Sequence, residues 1–480
     1  MSIQRSSITV FLSQIGITIL GFISLMYFAH LLGAEILGIY FVYIAMFNLI
    51  SMFADAGLGF GTVKRISEGR DIGEFFTASL LMHTATLLLC IMALYILRDR
   101  IDDYVGANIW HFLILSLFFL RYTQLIRNTL IGEKKVGISY MINFVEQLTK
   151  FFFQIVLITL GYQIYGLVGG LCIALFVNIP LGLKFVCIKL KKPGIRHVKS
   201  IFAYSKYAFP LNFNEYLYQS MSILIIGFLL PKSYSGIYGA SWSFSSAAAL
   251  ASIAISSTLF PYISGWSAKG QIEEIRNAYS EALTYSLMLV IPIFAGVLIF
   301  SKDLLYYAYG GAFITGWLAL IILTGARLIE SVQIVTKGAL AGMDRPDLVL
   351  KIALFTIPLN LIANLVLIYA IGIVGAAIAT FVTIAVSLML SLKYADGIVP
   401  ITIPWKDIRD ESVSALVMIS IVLLGLHFSP VVGLQTLGAY VVIGAAVYFS
   451  TLLTINGKIR DKMRFLGRET IKIVFKPLIR

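Results

Sequence analysis

LLGAEILGIYFVYIAMFNLISMFADAGLGFGTVKRIS, residues 31–67, places an apolar run between a turn at Gly33 and an acidic, glycine-rich break beginning at Asp55. A hydrocarbon core of ~30 Å is crossed by about 20 residues of helix. Residues 36–56 therefore read as one membrane span, followed by the basic pair Lys64 and Arg65. The pattern recurs along the whole chain, at roughly 8–32, 36–56, 73–97, 109–130, 138–160, 164–187, 205–230, 234–262, 280–301, 312–337, 348–370, 373–392, 411–428 and 433–454. Hydrophobic residues make up 59% of the 480 and charged residues 13%, where soluble domains carry roughly 45–50% and about 25%. There is too little polar surface to cover a set of soluble domains, and far too much apolar side chain for disorder. The expected fold is an all-α polytopic membrane protein of about 14 transmembrane helices.

The net charge of +13 would suggest a nucleic-acid partner in a soluble protein. Here the basic residues lie between apolar runs, and they report orientation instead. With the N-terminus inside, about 30 of the 37 Lys and Arg fall on inner loops and tails, and the outer loops keep Arg98, Arg100, Lys232 and Lys302. Both termini are expected in the cytoplasm, in a cytoplasmic membrane rich in anionic lipid. No nucleic-acid partner is expected. The first apolar run has no small-residue cleavage site and reads as a retained helix. Cys90, Cys172 and Cys187 sit in or beside apolar segments and form neither a CxxC pair nor a zinc pattern. In the tail, Arg464, Arg468, Lys472 and Lys476 recur every four residues, as on one face of a helix lying on lipid.

The chain repeats itself. LLGAEILGIY (31–40) matches LLPKSYSGIY (229–238) at an offset of 198, with Gly38 over Gly236 and Tyr40 over Tyr238. TLIGEKK (129–135) matches ALAGMDR (339–345), and GLVGG (166–170) matches GIVGA (372–376), in the same order. Spans one to six therefore recur as seven to twelve, and the last pair is an addition. Six is even, so the repeat is parallel, with a pseudo-twofold axis along the membrane normal, one of the repeat types that transporters use. The expected organisation is a first lobe at 1–200, a second at 201–395, two further spans at 396–455 and a basic tail at 456–480.

On these residues the chain resembles the polysaccharide-exporter branch of the multidrug/oligosaccharidyl-lipid/polysaccharide flippase superfamily. The resemblance covers about residues 5–455 and is carried by Gly33, Gly38 and Tyr40 entering span two, then Asp55, Gly57 and Gly59 at its end. It implies the flipping of a lipid-linked oligosaccharide, on a polyprenyl phosphate or diphosphate, from the inner to the outer leaflet for surface glycan synthesis. Implied partners are that lipid-linked glycan, membrane lipids and other polysaccharide-assembly proteins, with the chain itself a monomer. No cofactor is expected; a coupling ion, Na+ or H+, is left open.

Charged side chains inside spans cost at least ~2.5 kcal/mol near the centre and so face a cavity or a partner. Arg121, Glu146, Lys150, Glu215, Arg327 and Glu330 all fall roughly 10–18 Å from the inner surface. They sum to zero charge. Stripes at helical spacing accompany them: Arg121, Gln124 and Asn128; Asn143, Glu146, Gln147, Lys150 and Gln154; Asn212, Glu215, Gln219 and Ser222, with Gln14 over Asn212 in the repeat. The candidate substrate-binding set is Arg121, Lys150, Arg327, Glu146, Gln124, Gln14, Asn212, Glu215 and Glu330. Arginine and lysine suit phosphate oxygens, and amides suit sugar hydroxyls. The competing reading within helices is pairing of Glu146 with Lys150 and of Arg327 with Glu330. Asp55 with Lys64 and Arg65 is a candidate gate, or Asp55 is a helix-end residue. Buried His83 is expected to find partners among its neighbours. Pro210, Pro292 and Pro358 lie inside spans, where they are tolerated or hinge.

A cation-coupled drug antiporter would want an unpaired carboxylate, for which Glu215 is the candidate. A membrane glycosyltransferase or polymerase would want an extramembrane catalytic surface. No Walker A, GxSxG or HExxH motif occurs, so the chain reads as no enzyme.

Overall fold

The computed structural model describes residues 3–211, 213–399 and 402–464, with backbone alone for 3–8, 11, 207–211 and 213–216. Asn212 and the tail beyond Arg464, with Arg468, Lys472 and Lys476, lie outside the described residues. Among the described residues every regular element is helical. In chain order these are α1 (Ile3–Asp55), α2 (Leu58–Ser67), α3 (Ile72–Ile96), α4 (Arg98–Val105), α5 (Trp110–Gly132), α6 (Val136–Thr159), α7 (Gln163–Leu183), α8 (Ile195–Leu211) and α9 (Phe213–Leu229). There follow α10 (Lys232–Ser246), α11 (Leu250–Ala268), α12 (Ile272–Tyr309), α13 (Trp317–Gly342), α14 (Pro346–Ile371), α15 (Ile373–Asp396), α16 (Trp405–Phe428) and α17 (Leu434–Ile455). Eleven helices are long and apolar enough to cross a membrane, and up to 12 when α4 and α5, bent by 103°, count as one span. Leu12–Asp55 runs for 44 residues, and Gly33, at φ 75°, breaks its helical geometry.

The burial pattern is inverted relative to a water-soluble bundle. On α3, Leu89 is 63% exposed and Ile96 71%, whereas Ser79 and His83 are fully buried. In water this would be a large sticky patch. In a bilayer it is the expected arrangement, because hydrocarbon solvates leucine and leaves polar groups to one another. Thr62 and Ser79 share a short buried hydrogen bond between α2 and α3, and Thr86 donates to the carbonyl of Ala54 at 2.7 Å.

The chain packs as two units. Among the described residues, the first contains those of 3–243 with 309–313 and 353–376; the second contains those of 244–308, 314–352 and 377–464. In the second, α16 and α17 pack on α12 through Met288, Phe300, Met418, Val422, Tyr448 and Leu452. Asn456 ties their ends together by donating to Asp407 at 2.9 Å and Asp410 at 3.0 Å. Pro292 and Pro358 sit inside continuous α12 and α14, while Pro210 falls in the stretch described by backbone alone.

Within the first unit the two copies of the GIY motif meet. A Cβ placed on Gly38 would overlap the carbonyl oxygen of Lys232 and lie 3.1 Å from the amide nitrogen of Gly236. A Cβ on Gly236 would overlap the carbonyl of Ala34 and lie 3.0 Å from the nitrogen of Gly38. The contact is reciprocal: Ala34 and Gly38 stand to Lys232 and Gly236 at the same offset of 198 residues that relates the sequence copies. Only glycine permits this approach, as at the close helix crossings of membrane bundles. Gly38→Ala or Gly236→Ala is expected to destabilise the purified protein by about 1–3 kcal/mol, the cost of forcing a methyl group into a packed contact. Gly21→Ala, where a Cβ meets nothing within 4 Å, is expected to be neutral or stabilising. Thermal unfolding of the three variants in detergent checks this, and equal midpoints would show that the crossing is loose.

Candidate functional site

The span of α1 that ends at Asp55 is turned sharply by Ala56 (φ 45°) and Gly57 (φ 76°) before α2 begins. Two successive left-handed residues are costly without a glycine, and here they stop Asp55 from being carried further along a helix. Its carboxylate instead meets α5. Arg121 Nη1 donates to Asp55 Oδ1 at 2.7 Å. Its Nη2 donates to the Ser51 carbonyl at 3.2 Å and to Gln124 Oε1 at 2.6 Å. Arg121 is 1% exposed, while the side chain of Asp55 keeps 23%. Both Nη groups of the guanidinium are thus committed behind the wall, while its Nε is buried without a hydrogen-bond partner among the described residues, and Asp55 shows its other side.

That other side faces a cavity of about 620 Å³, lined by Gln14, Asn48 and Ser51 of α1, Gln124, Arg127 and Asn128 of α5, and Tyr140 and Asn143 of α6, with Phe47 and Phe60 among its apolar walls. Arg127 donates to Asn143 Oδ1 at 2.7 Å and to Glu146 Oε2 at 3.3 Å. His83 lies within electrostatic reach of Arg121 and Asp55. Neither ring nitrogen has a hydrogen-bond partner among the described residues, so the expectation that neighbours satisfy it is not met. The other polar side chains of that stretch of α3 bond backbone carbonyls instead.

The expected set is therefore divided. Gln14, Gln124 and Asp55 line the cavity, Arg121 stands behind Asp55, and Glu146 holds Arg127. Lys150 makes no ion pair among the described residues and does not line the cavity; Glu146 is paired with Arg127 rather than with it, because the hairpin brings α5 closer than the next helical turn. Gln154 leaves the stripe as well, donating to the Leu167 carbonyl at 2.8 Å and so fastening α6 to α7. Asp55 does not contact Lys64 or Arg65. Both find a nearer acid on their own helix end, Glu68, at 3.7 Å and 2.9 Å, since i,i+3 and i,i+4 partners need no tertiary contact. In the second unit Arg327 pairs with Glu330 in a short contact and donates to Ser246 Oγ at 3.3 Å. Asn212 and the side chain of Glu215 lie outside the described residues.

Arg127 escaped the sequence reading because it sits near the loop end of its span, where basic residues ordinarily report topology. One signal could have found it. Arg127 and Asn143 each stand eight residues from Lys135 at the α5–α6 turn, so an antiparallel hairpin must set them opposite each other.

A family model described as polysaccharide biosynthesis protein matches residues 3–266, over half of the chain. A probable low-salt glycan biosynthesis flippase, Agl15 of Haloferax volcanii, is 33% identical over 91% of this chain and 92% of its own length. The probable flippase AglR of the same organism is 25% identical over 98% and 99%. Among solved structures, the lipid II flippase MurJ in an inward closed conformation aligns with a TM-score of 0.77, covering 99% of this chain and all of that one at 16% identity. An inward-facing multidrug MATE transporter aligns at 0.65 over 79% of this chain and 94% of its own, at 15% identity. These last two likenesses are of fold.

Removing one partner of a buried ion pair leaves the other charge uncompensated. Arg121→Ala is accordingly expected to destabilise the protein by about 3 kcal/mol, and Arg121→Gln with Asp55→Asn together by less than the sum of the two. Lys64→Ala, on an exposed pair, is expected to stay within about 0.5 kcal/mol. Thermal midpoints in detergent decide it; an Arg121→Ala protein as stable as Lys64→Ala would remove the pair from any structural role.

Proposed function

The chain belongs to the polysaccharide biosynthesis protein family, and on that footing we propose that it is a transporter that flips a lipid-linked oligosaccharide, carried on a polyprenyl phosphate or diphosphate, across the cytoplasmic membrane. The observation that carries the reading is a cavity of about 620 Å³ walled by carboxamides, inside a bundle whose outer surface suits hydrocarbon. Ligand cavities run from about 300 to 1,000 Å³. A glycan headgroup needs such a wet passage, and its prenyl tail does not. The relatives named as flippases point the same way. No catalytic step is required of the chain, which is not an enzyme.

The finer organisation belongs to the same proposal. Leu12–Asp55, broken at Gly33, is long enough for two spans, and Leu217–Leu229 is an apolar helix with more backbone ahead of it. With α5 these bring the count to fourteen. The reciprocal glycine contact supports two six-span lobes related by a twofold, with α16 and α17 added. The basic inner loops support cytoplasmic termini. The expected unit is a monomer working by alternating access, with Arg327 and Glu330 contributing from the second lobe and Lys150 from the first. The antiporter alternative draws no support from Asp55, the one acid on this cavity's wall among the described residues, or from Glu146 behind it, since both are paired with arginines; its own candidate, Glu215, has no described side chain.

Cells lacking the chain are expected to accumulate the lipid-linked glycan on the inner leaflet, and the intact chain to restore its outer exposure. Gln14→Leu combined with Gln124→Leu is expected to cut that exposure about thirtyfold at equal membrane abundance, each lost hydrogen bond contributing about 1 kcal/mol. Glycan labelling on intact cells reads both, and normal outer exposure in the deletion strain would end the proposal.

A further inference from the structure

We infer that the cavity of the first unit takes the uncharged sugar rings of the substrate and does not take its phosphate. This rests on the transport reading above and specifies which part of the substrate enters.

The argument is an inventory of charge. Among the described residues, the cavity wall holds two charged side chains, Asp55 and Arg127. Each is neutralised from behind, Asp55 by Arg121 at 2.7 Å and Arg127 by Glu146 at 3.3 Å. The lining charge is zero, and so is the charge of the two pairs together. A diphosphate binds where several donors lack an anion of their own. Here it would have to draw Arg127 away from Glu146, which is 5% exposed, and strand that carboxylate in a low-dielectric wall. Arg121 is no substitute, because it is 1% exposed and both its Nη groups already donate to Asp55, Ser51 and Gln124.

The remaining lining is suited to hydroxyls. Gln14, Asn48, Gln124, Asn128 and Asn143 each carry a carbonyl acceptor and two N–H donors. A sugar hydroxyl donates once and accepts twice, so it satisfies an amide from either end. Phe47, Phe60 and Tyr140 add flat apolar surface for the C–H face of a pyranose. Such a site distinguishes glycans by the placement of their hydroxyls, because an amide left without its partner is penalised. It is indifferent to whether the carrier is a monophosphate or a diphosphate.

The test uses the full chain in lipid nanodiscs, with Cys90 and Cys187 replaced by serine and buried Cys172 retained. Val63→Cys puts a thiol on the cavity wall; Ile131→Cys, on the same wall, serves if the first variant does not purify as a single species. Rates of thiol modification are measured with neutral methyl glycosides of glucose, mannose and galactose, and separately with inorganic pyrophosphate. At least one glycoside, at about four times its half-protecting concentration, is expected to slow modification about fivefold, as an occupied wall excludes the reagent. Pyrophosphate is expected to have no effect, and Asn128→Leu with Asn143→Leu to abolish the glycoside effect. Protection by pyrophosphate alone would overturn the inference and leave the transport reading standing. So would no protection by any glycoside in a variant that still restores outer exposure of the glycan in cells. Failure of the unaltered chain to restore that exposure would instead remove the transport reading.

Discussion

A guanidinium at 1% exposure, inside a bundle whose outer face suits lipid, has to be neutralised where it stands. Arg121 meets that demand through Asp55, and the demand shapes much of the first unit. It holds the end of the second half of α1 against α5. It requires the tight left-handed turn at Ala56 and Gly57, which lets α2 leave in a new direction. It also places the outward side of a carboxylate, with Gln124 and Ser51 beside it, on the wall of a polar cavity. The same logic operates one helical turn and a half further on, where Glu146 and Asn143 hold Arg127. The cavity is polar because its walls are lined by groups with partners behind them, and not because bare charge has been left in the membrane.

The membrane class and the helical architecture were legible in the sequence because a bilayer imposes one length and one polarity on every span. The matching GIY motifs were legible for a different reason. Gly38 and Gly236 lie where composition does not force a match, and the structure gives them a shared steric task. The partner of Asp55 was not legible. Arg121 lies 66 residues away, and periodicity within a helix says nothing about which helix stands opposite. The α6 stripe shows a related gap: Asn143 looks into the cavity, Glu146 towards Arg127, and Gln154 towards α7. An amphipathic face is wide enough to serve three neighbours. Rules that count along one helix assign all of its polar residues to one destination.

Similarity and geometry divide the remaining work between them. The family model and a relative at 33% identity over 91% of the chain carry the family, and folds shared at 16% or less carry only the path of the backbone. What a particular member recognises is decided by a few side chains that such distances do not preserve. In this chain the cavity is lined by carboxamides, and the arginines near them are each paired with an acid.

Backbone rests on backbone where Gly38 meets Gly236, and one turn along α10 the Phe41 ring of α1 lies against Gly239, where a Cβ would come within 2.7 Å of it. Helices lock at preferred angles when a ridge on one seats in a groove of the other. Here the missing side chains of Gly236 and Gly239 are the groove and Phe41 is the ridge. The crossing is therefore notched: a turn of either helix about the glycine contact must first lift an aromatic ring out of its slot.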